Sequence, residues 1–259
     1  MDKPEEFTMS YFSLKGKVAL VTGGNTGLGQ AMAVALAKAG ADIVITSRKP
    51  ECEETRAQVE AAGRRFHCIL GDLSREGVPE EVIEKCLLEF QRLDILVNNA
   101  GTIRRAPLLE HGEADFRAVM DINLNAVYSL SRAAAKVMVN QGGGKIINIA
   151  SMLSFQGGKF VPGYTASKHA VAGLTKAFAN ELAMKNIQTN AIAPGYFMTN
   201  NTQAIREDEK RNQEILERIP AGRWGRPGDL MGAVVFLSSS ASDYVNGHIL
   251  AVDGGWLVR

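Results

Sequence analysis

The chain has 259 residues, 46% hydrophobic and 22% charged, and its 29 basic and 28 acidic side chains leave a formal net charge of +1. That balance provides no footprint for nucleic acid or an anionic membrane surface, so any charge used in recognition must be local. Cys52, Cys68 and Cys86 are odd in number without C-x-x-C spacing, and the histidines are scattered, so neither a disulfide framework nor a metal site is expected.

The chain opens on MDKPEEFTMS, acidic rather than a basic leader, and residues 1–12 read as an N-terminal extension. No apolar run is long enough to span a membrane, and a reducing cytoplasm is the expected setting. From there β-rich runs alternate with helical patterns. KVALVTG leads into LGQAMAVALAKAG, followed by ADIVITS, FHCILGD, the helical PEEVIEKCLLEFQR and DILVNNAG. The helical ADFRAVMDINLNAVYSLSRAAAKVMV precedes GKIINIAS, YTASKHAVAGLTKAFANELAMK precedes IQTNAIAPG, and HILAVDGG closes the series. Most of these strands are apolar at consecutive positions, as expected of parallel strands covered on both faces.

The expected fold is α/β: over residues 13–259, a single-domain Rossmann-like doubly wound parallel sheet of about seven strands with helices on both faces. Ligands of such sheets sit beyond the carboxyl ends of the strands. Residues 197–224 break the rhythm with a long polar, charged stretch. It reads as a solvated helical excursion or as a lid over the strand ends, and the lid is the stronger reading.

Two constellations carry chemistry. In VTGGNTGLGQ, Gly23, Gly27 and Gly29 follow the first strand and open the first helix, with Asn25, Thr26 and Leu28 between them. Small residues let the backbone approach a pyrophosphate, and a helix N-terminus offers it free N–H groups. No G-K-[ST] follows, which disfavours triphosphate chemistry. The second constellation is Ser151 at the end of GKIINIAS, with Tyr164 and Lys168 in GYTASKHA. Residues four apart share a helix face, so an ammonium can sit beside a phenol. Unit charges at ~4 Å in an effective dielectric of ~20 interact by ~4 kcal/mol, enough to bring a phenol of pKa ~10 towards neutrality. A general acid or base poised there suits alcohol and ketone chemistry.

Together with DILVNNAG, NAIAPG and VDGG, these ordered motifs resemble the short-chain dehydrogenase/reductase family over nearly the whole chain. The resemblance implies hydride transfer between substrate and a nicotinamide dinucleotide, without a metal, by Asn123, Ser151, Tyr164 and Lys168. Ser151 would hold the substrate oxygen, Tyr164 transfer its proton, Lys168 lower the phenol pKa and bind the ribose, and Asn123 hold a water. It also implies that Asp72 and Leu73 contact the adenine, that Asn98 or Asn99 with Ala100 and Gly101 line the cofactor, and that Pro194, Gly195 and Thr199 flank the nicotinamide. Members using NAD place an acid at the end of the second strand, whereas ITSRKP has Ser47 and Arg48 there. A hydroxyl and a guanidinium can bind a 2′-phosphate that a carboxylate would repel, which favours NADP(H), with NAD(H) as the alternative.

Outside the common motifs, AGTIRR, NIASMLSFQGG and APGYFMTNNTQ resemble sugar-acid oxidoreductases of that family. A small sugar acid needs a cation for its carboxylate. Arg104, nearer the strand end, is the preferred anchor, with Arg105 bonding the lid or a neighbouring subunit. Gln156, Asn200 and Asn201 are the expected hydroxyl partners, unless Gln156 caps backbone and the asparagines make a turn. The alternatives are a 3-oxoacyl thioester reductase and a catalytically idle dinucleotide-binding sensor. Ala-rich helices with more than one apolar face, and the resemblance itself, imply a homotetramer.

Overall fold

Each strand sends alternate residues to opposite faces, and both faces are apolar, so the sheet is covered on both sides. In this computed structural model, which describes residues 6–259, the strands are β1 (Val18–Thr22), β2 (Asp42–Ser47), β3 (Phe66–Leu70), β4 (Ile95–Asn98), β5 (Gly144–Ile149), β6 (Ile187–Pro194) and β7 (Ile249–Val252). They form one seven-stranded parallel sheet, ordered β3-β2-β1-β4-β5-β6-β7. Ala19, Val21, Ile43, Ile45, Ile95, Val97 and Ile147 share one core cluster with the buried face of α1 (Gly27–Lys38). On the other face, Val18, Leu20, Val44, Leu96 and Ile146 pack beneath α3 (Val78–Phe90) and α5 (Ala126–Gln141). The remaining helices are α2 (Glu53–Ala61), α4 (Glu113–Met120), α6 (Pro162–Leu182), α7 (Gln203–Glu207), α8 (Glu209–Arg218) and α9 (Met231–Ser238).

All the expected strands form, and the departures have physical causes. The long helical pattern beginning at Ala114 divides into α4 and α5 around a π-helical turn at Asp121–Asn125. Polar α2, which buries only Thr55 and Val59, has too weak an apolar stripe to be read from its sequence. Helix α9, MGAVVFLS, has no polar face to mark its period; it buries Val234 and Leu237 against α1. The expectation about cysteines is corrected for one pair. Cys52 and Cys68 are joined, with Cα atoms 6.8 Å apart, because the β2–β3 pairing sets β3 beside the chain leading into α2.

Of the expected N-terminal extension, residues 1–5 lie outside the described residues. Met9–Phe12 forms a short 3₁₀ turn, and the Tyr11 carbonyl accepts a 3.0 Å bond from the Ser240 hydroxyl. Among the described residues no helix is long and apolar enough to cross a membrane. Adjacent β1 and β4 continue to opposite sides of the sheet, so a crevice opens where their connections part. That topology positions the site.

Candidate active site

A cleft of about 1080 Å³ lies beyond the carboxyl ends of the strands. At one end, the β1–α1 turn places Gly23, Asn25, Thr26, Gly27 and Leu28 on its wall. Gly27 has φ +57°, and Thr26 leaves the first turn of α1 without a side-chain cap, so its amides are available to a phosphate. Gly29 serves differently. A Cβ there would come within 2.2 Å of the Gly23 carbonyl oxygen, so this glycine lets α1 close on the turn and is not on the cleft wall. Ser47, the last residue of β2, and Arg48 after it line the cleft, together with Asp72 and Leu73 from the β3 exit. Two hydrogen bonds from Ser74, with help from Arg48 and Arg75, hold the Asp72 carboxyl below its usual range. These residues fit the adenosine and phosphate portions of a dinucleotide.

After β4 the chain separates two adjacent asparagines. Asn98 is buried and donates to Asn148 Oδ1 at 2.8 Å and Ser131 Oγ at 2.9 Å, so it does not line the cleft. Asn99, Ala100 and Gly101 do. Thr22 Oγ1 accepts the Asn99 and Ala100 N–H groups at 2.9 and 2.8 Å, which locks this turn to β1. Pro194 at the end of β6, with Gly195 and Thr199 beyond it, also lines the cleft.

The proposed catalytic side chains meet at the cleft floor. Ser151, 8% exposed, accepts the Leu153 N–H at 3.1 Å and shares a hydrogen bond with the Tyr164 hydroxyl. Lys168, 6% exposed, donates to the Ile149 carbonyl at 2.6 Å, with its Nζ 5.5 Å from the Tyr164 ring centre. Ser154 fixes the arrangement by donating to the Lys168 carbonyl at 2.7 Å while accepting the Ser151 N–H. Burial pushes the Lys168 ammonium down to about 8. Burial also raises the Tyr164 phenol, opposed by Ser151 and by the charge of Arg105. The expected acidification of the phenol by Lys168 is therefore not what this structure displays, because the ammonium is directed at a backbone carbonyl.

Asn123 is completely buried in the π-helical turn, off the cleft wall. Its amide is spent on Thr102, accepting the N–H at 2.8 Å and donating to the carbonyl at 3.0 Å, and on Ser167 Oγ at 3.2 Å. It thereby anchors the loop that carries the two arginines. Arg104 and Arg105 both reach the cleft, but they are differently committed. Arg104 is ion-paired to Asp115 at 3.3 Å, whereas Arg105 donates to the Asn201 carbonyl at 3.4 Å and acts on Tyr164. Gln156, Asn200 and Asn201 also line the cleft.

A family model described as short chain dehydrogenase matches residues 17–210. The chain belongs to the short-chain dehydrogenase family. Among relatives, the 2-dehydro-3-deoxy-D-gluconate 5-dehydrogenase of Escherichia coli (strain K12) is 60% identical over 97% of this chain and 99% of its own. A structure from Agrobacterium tumefaciens with bound NADP, a candidate 2-deoxy-D-gluconate 3-dehydrogenase, is 54% identical with a TM-score of 0.88, covering 96% of this chain and 99% of that one. A gluconate 5-dehydrogenase from Burkholderia cenocepacia in complex with NADP and tartrate is 39% identical with a TM-score of 0.93, covering 96% and 98%.

Within this short-chain dehydrogenase, sequence reasoning missed Arg218. It reaches the cleft from α8, donates to Gln156 Oε1 at 3.2 Å, and lies 4.0 Å over the Trp256 ring. Its only sequence signal was a place in the charged stretch following β6, among several other arginines.

Proposed function

We propose that the chain is an NADP-dependent oxidoreductase that interconverts 2-dehydro-3-deoxy-D-gluconate and its 5-keto counterpart. The observation that carries the chemistry is the hydrogen-bonded Ser151–Tyr164 pair beside buried Lys168, with the Arg105 charge acting on the phenol. The 60% identical relative of that name supports the substrate. NADP, when bound, takes or supplies the hydride. Ser47 and Arg48 would receive its 2′-phosphate, the Gly23–Leu28 turn its pyrophosphate, and Pro194, Gly195 and Thr199 its nicotinamide.

In oxidation, Tyr164 accepts the proton of the C5 hydroxyl while Ser151 holds that oxygen; in reduction the phenol returns the proton. Arg105 favours the phenolate by its charge, a role the sequence reading gave to neither arginine, having taken Arg104 as the carboxylate anchor and Arg105 as a bond to the lid or a neighbouring subunit. Asn123 acts as a positioning residue for the arginine loop. Residues 197–224 act as the lid, and Asn200 and Asn201 meet substrate hydroxyls. A homotetramer built on α5 and α6 would cover Tyr128 and Val139, which are exposed on α5 in one chain.

Two measurements test this reading. The first sets NADP(H) and NAD(H) against 2-dehydro-3-deoxy-D-gluconate, gluconate and a 3-oxoacyl thioester; preferred turnover of the thioester overturns the sugar-acid assignment. The second follows Arg105→Gln. Removing the positive charge raises the Tyr164 pKa further, so the acidic limb of the oxidation profile moves to higher pH. An unmoved limb with a lower rate would make Arg105 merely structural.

A further inference from the structure

The cleft holds more cations than the proposed chemistry uses, and they differ in what already holds them. Arg104 is paired with Asp115 and Arg211 with Glu214, at 3.3 and 2.9 Å. Lys168 is directed at the Ile149 carbonyl, and Arg48 sits at the adenosine end beside Asp72. Arg105, Lys159 and Arg218 have no ion pair among the described residues; the two arginines, from the β4 exit and α8, are each held by another cleft residue, Asn201 and Gln156. Arg105 is close enough to Tyr164 for its charge to act on the phenol, which assigns it to the reacting end of the substrate.

Arg218 is held in place without being neutralised. Its guanidinium lies over the Trp256 ring, which is 5% exposed and wedged edge-on against Tyr196 with ring centres 4.8 Å apart. A planar cation held against an aromatic face loses little freedom on meeting a carboxylate. Its donation to Gln156 Oε1 orients that amide, and Gln156 Nε2 has no partner among the described residues. A charged fork and an amide N–H₂ thus stand together on the cleft wall, both donors, and apart from the Arg218–Gln156 bond itself neither has an acceptor among the described residues.

We infer that Arg218 is a specificity-determining residue that binds the substrate carboxylate from the lid side, with Gln156 orienting it and donating to the same anion. The inference rests on the sugar-acid reading above, in which the reacting carbon is C5 and the carboxylate stands at the far end of the carbon chain. Two separated ends require two separated partners: Tyr164, with Arg105, at the reacting oxygen, and Arg218 at the carboxylate. Because Arg218 rides on the same segment as α8, binding the anion also holds that segment down on the cleft.

The test uses the full chain with NADP(H), 2-dehydro-3-deoxy-D-gluconate and the uncharged primary amide of that acid. Wild-type protein inactive on the acid overturns the functional reading and this inference with it. With wild-type activity established, Arg218→Gln raises KM for the acid by about 10- to 100-fold, the loss of one charge-assisted carboxylate contact. KM for the amide and kcat for the acid stay near wild type, and Arg218→Lys recovers part of the loss. Equal KM increases on acid and amide would reduce Arg218 to a packing residue on Trp256, and an unchanged KM for the acid would place the carboxylate elsewhere. Either result overturns the inference while leaving the proposed reaction intact.

Discussion

The two walls of the cleft are built by different means. The floor formed by β4, β5 and α6 holds Ser151, Tyr164 and Lys168 by hydrogen bonds to one another and to backbone, above strands that are buried on both faces. The opposite wall, residues 197–224, is tied to a sheet core through Phe197 but otherwise rests on a smaller cluster of Met152, Ile215, Ile219, Trp224 and Trp256. Tyr196 bridges the two tryptophans edge-on, and Trp224 Nε1 donates to Asn212 at 2.7 Å. Proton transfer needs a fixed geometry and is assigned to the wall tied to the sheet. Selection of an anion needs a surface that can meet its ligand, and is assigned to the wall with the smaller core.

The sharpest challenge to this division is Tyr164→Phe. It should lower kcat by about 10²- to 10⁴-fold, the usual range for a general acid or base, while NADP binding measured by fluorescence titration stays intact. Retained turnover would remove the proton carrier from the fixed wall.

Next is a matched pair of core truncations. Leu20→Ala, in the sheet, should cost about 2–5 kcal/mol of global stability in denaturant titration. Ile215→Ala, in the satellite cluster, should leave the main transition nearly unchanged while raising KM for the sugar acid. Equal losses of stability would make the two walls a single cooperative unit.

A smaller effect is expected at the far end of the fixed wall. Arg48→Gln should weaken NADP by about 10- to 100-fold and leave NAD little affected, read as the ratio of kcat/KM values. A loss shared by both cofactors would mean that Arg48 supports the fold of the β2 exit rather than a phosphate.

The smallest effect lies at the amino-terminal ends of the central strands β1 and β4. Burial raises the Asp94 carboxyl, but Arg92 at 2.6 and 2.8 Å, the Val18 N–H at 2.9 Å and Lys17 outweigh it and hold the group below its usual range. Its stabilisation is therefore present above the unfolded pKa of ~3.9 and is lost as pH falls through the lower folded value. Asp94→Asn should cost about 1–3 kcal/mol near neutrality, with the difference from wild type shrinking in acid. A difference independent of pH would mean that the carboxylate charge contributes nothing.

Motif residues were legible in the sequence where one local pattern sets their position. Tyr164 and Lys168, four apart, must share a face once α6 forms, and the glycines must turn where β1 meets α1. Consecutive apolar positions along most strands, and the succession of strands and helices, likewise pointed to the parallel sheet. Neighbouring residues of similar chemistry were not separable. Asn98 ends β4 pointing into a buried polar ladder and Asn99 turns into the cleft, a difference of one residue in strand phase. Arg104 was preferred over Arg105 as the anchor only for its place nearer the strand end, and the sequence could not show that Asp115, on α4, holds it.

The sequence by itself determined the alternation of strands and helices, the dinucleotide turn and the serine, tyrosine and lysine set, because each depends on a spacing of a few residues. Only the tertiary structure decided which charges are free to act, which asparagine faces the cleft, and that Arg218 stands beside Gln156, 62 residues away in the chain. Those facts depend on which distant side chains neutralise, bury or orient a group, and no local spacing encodes them.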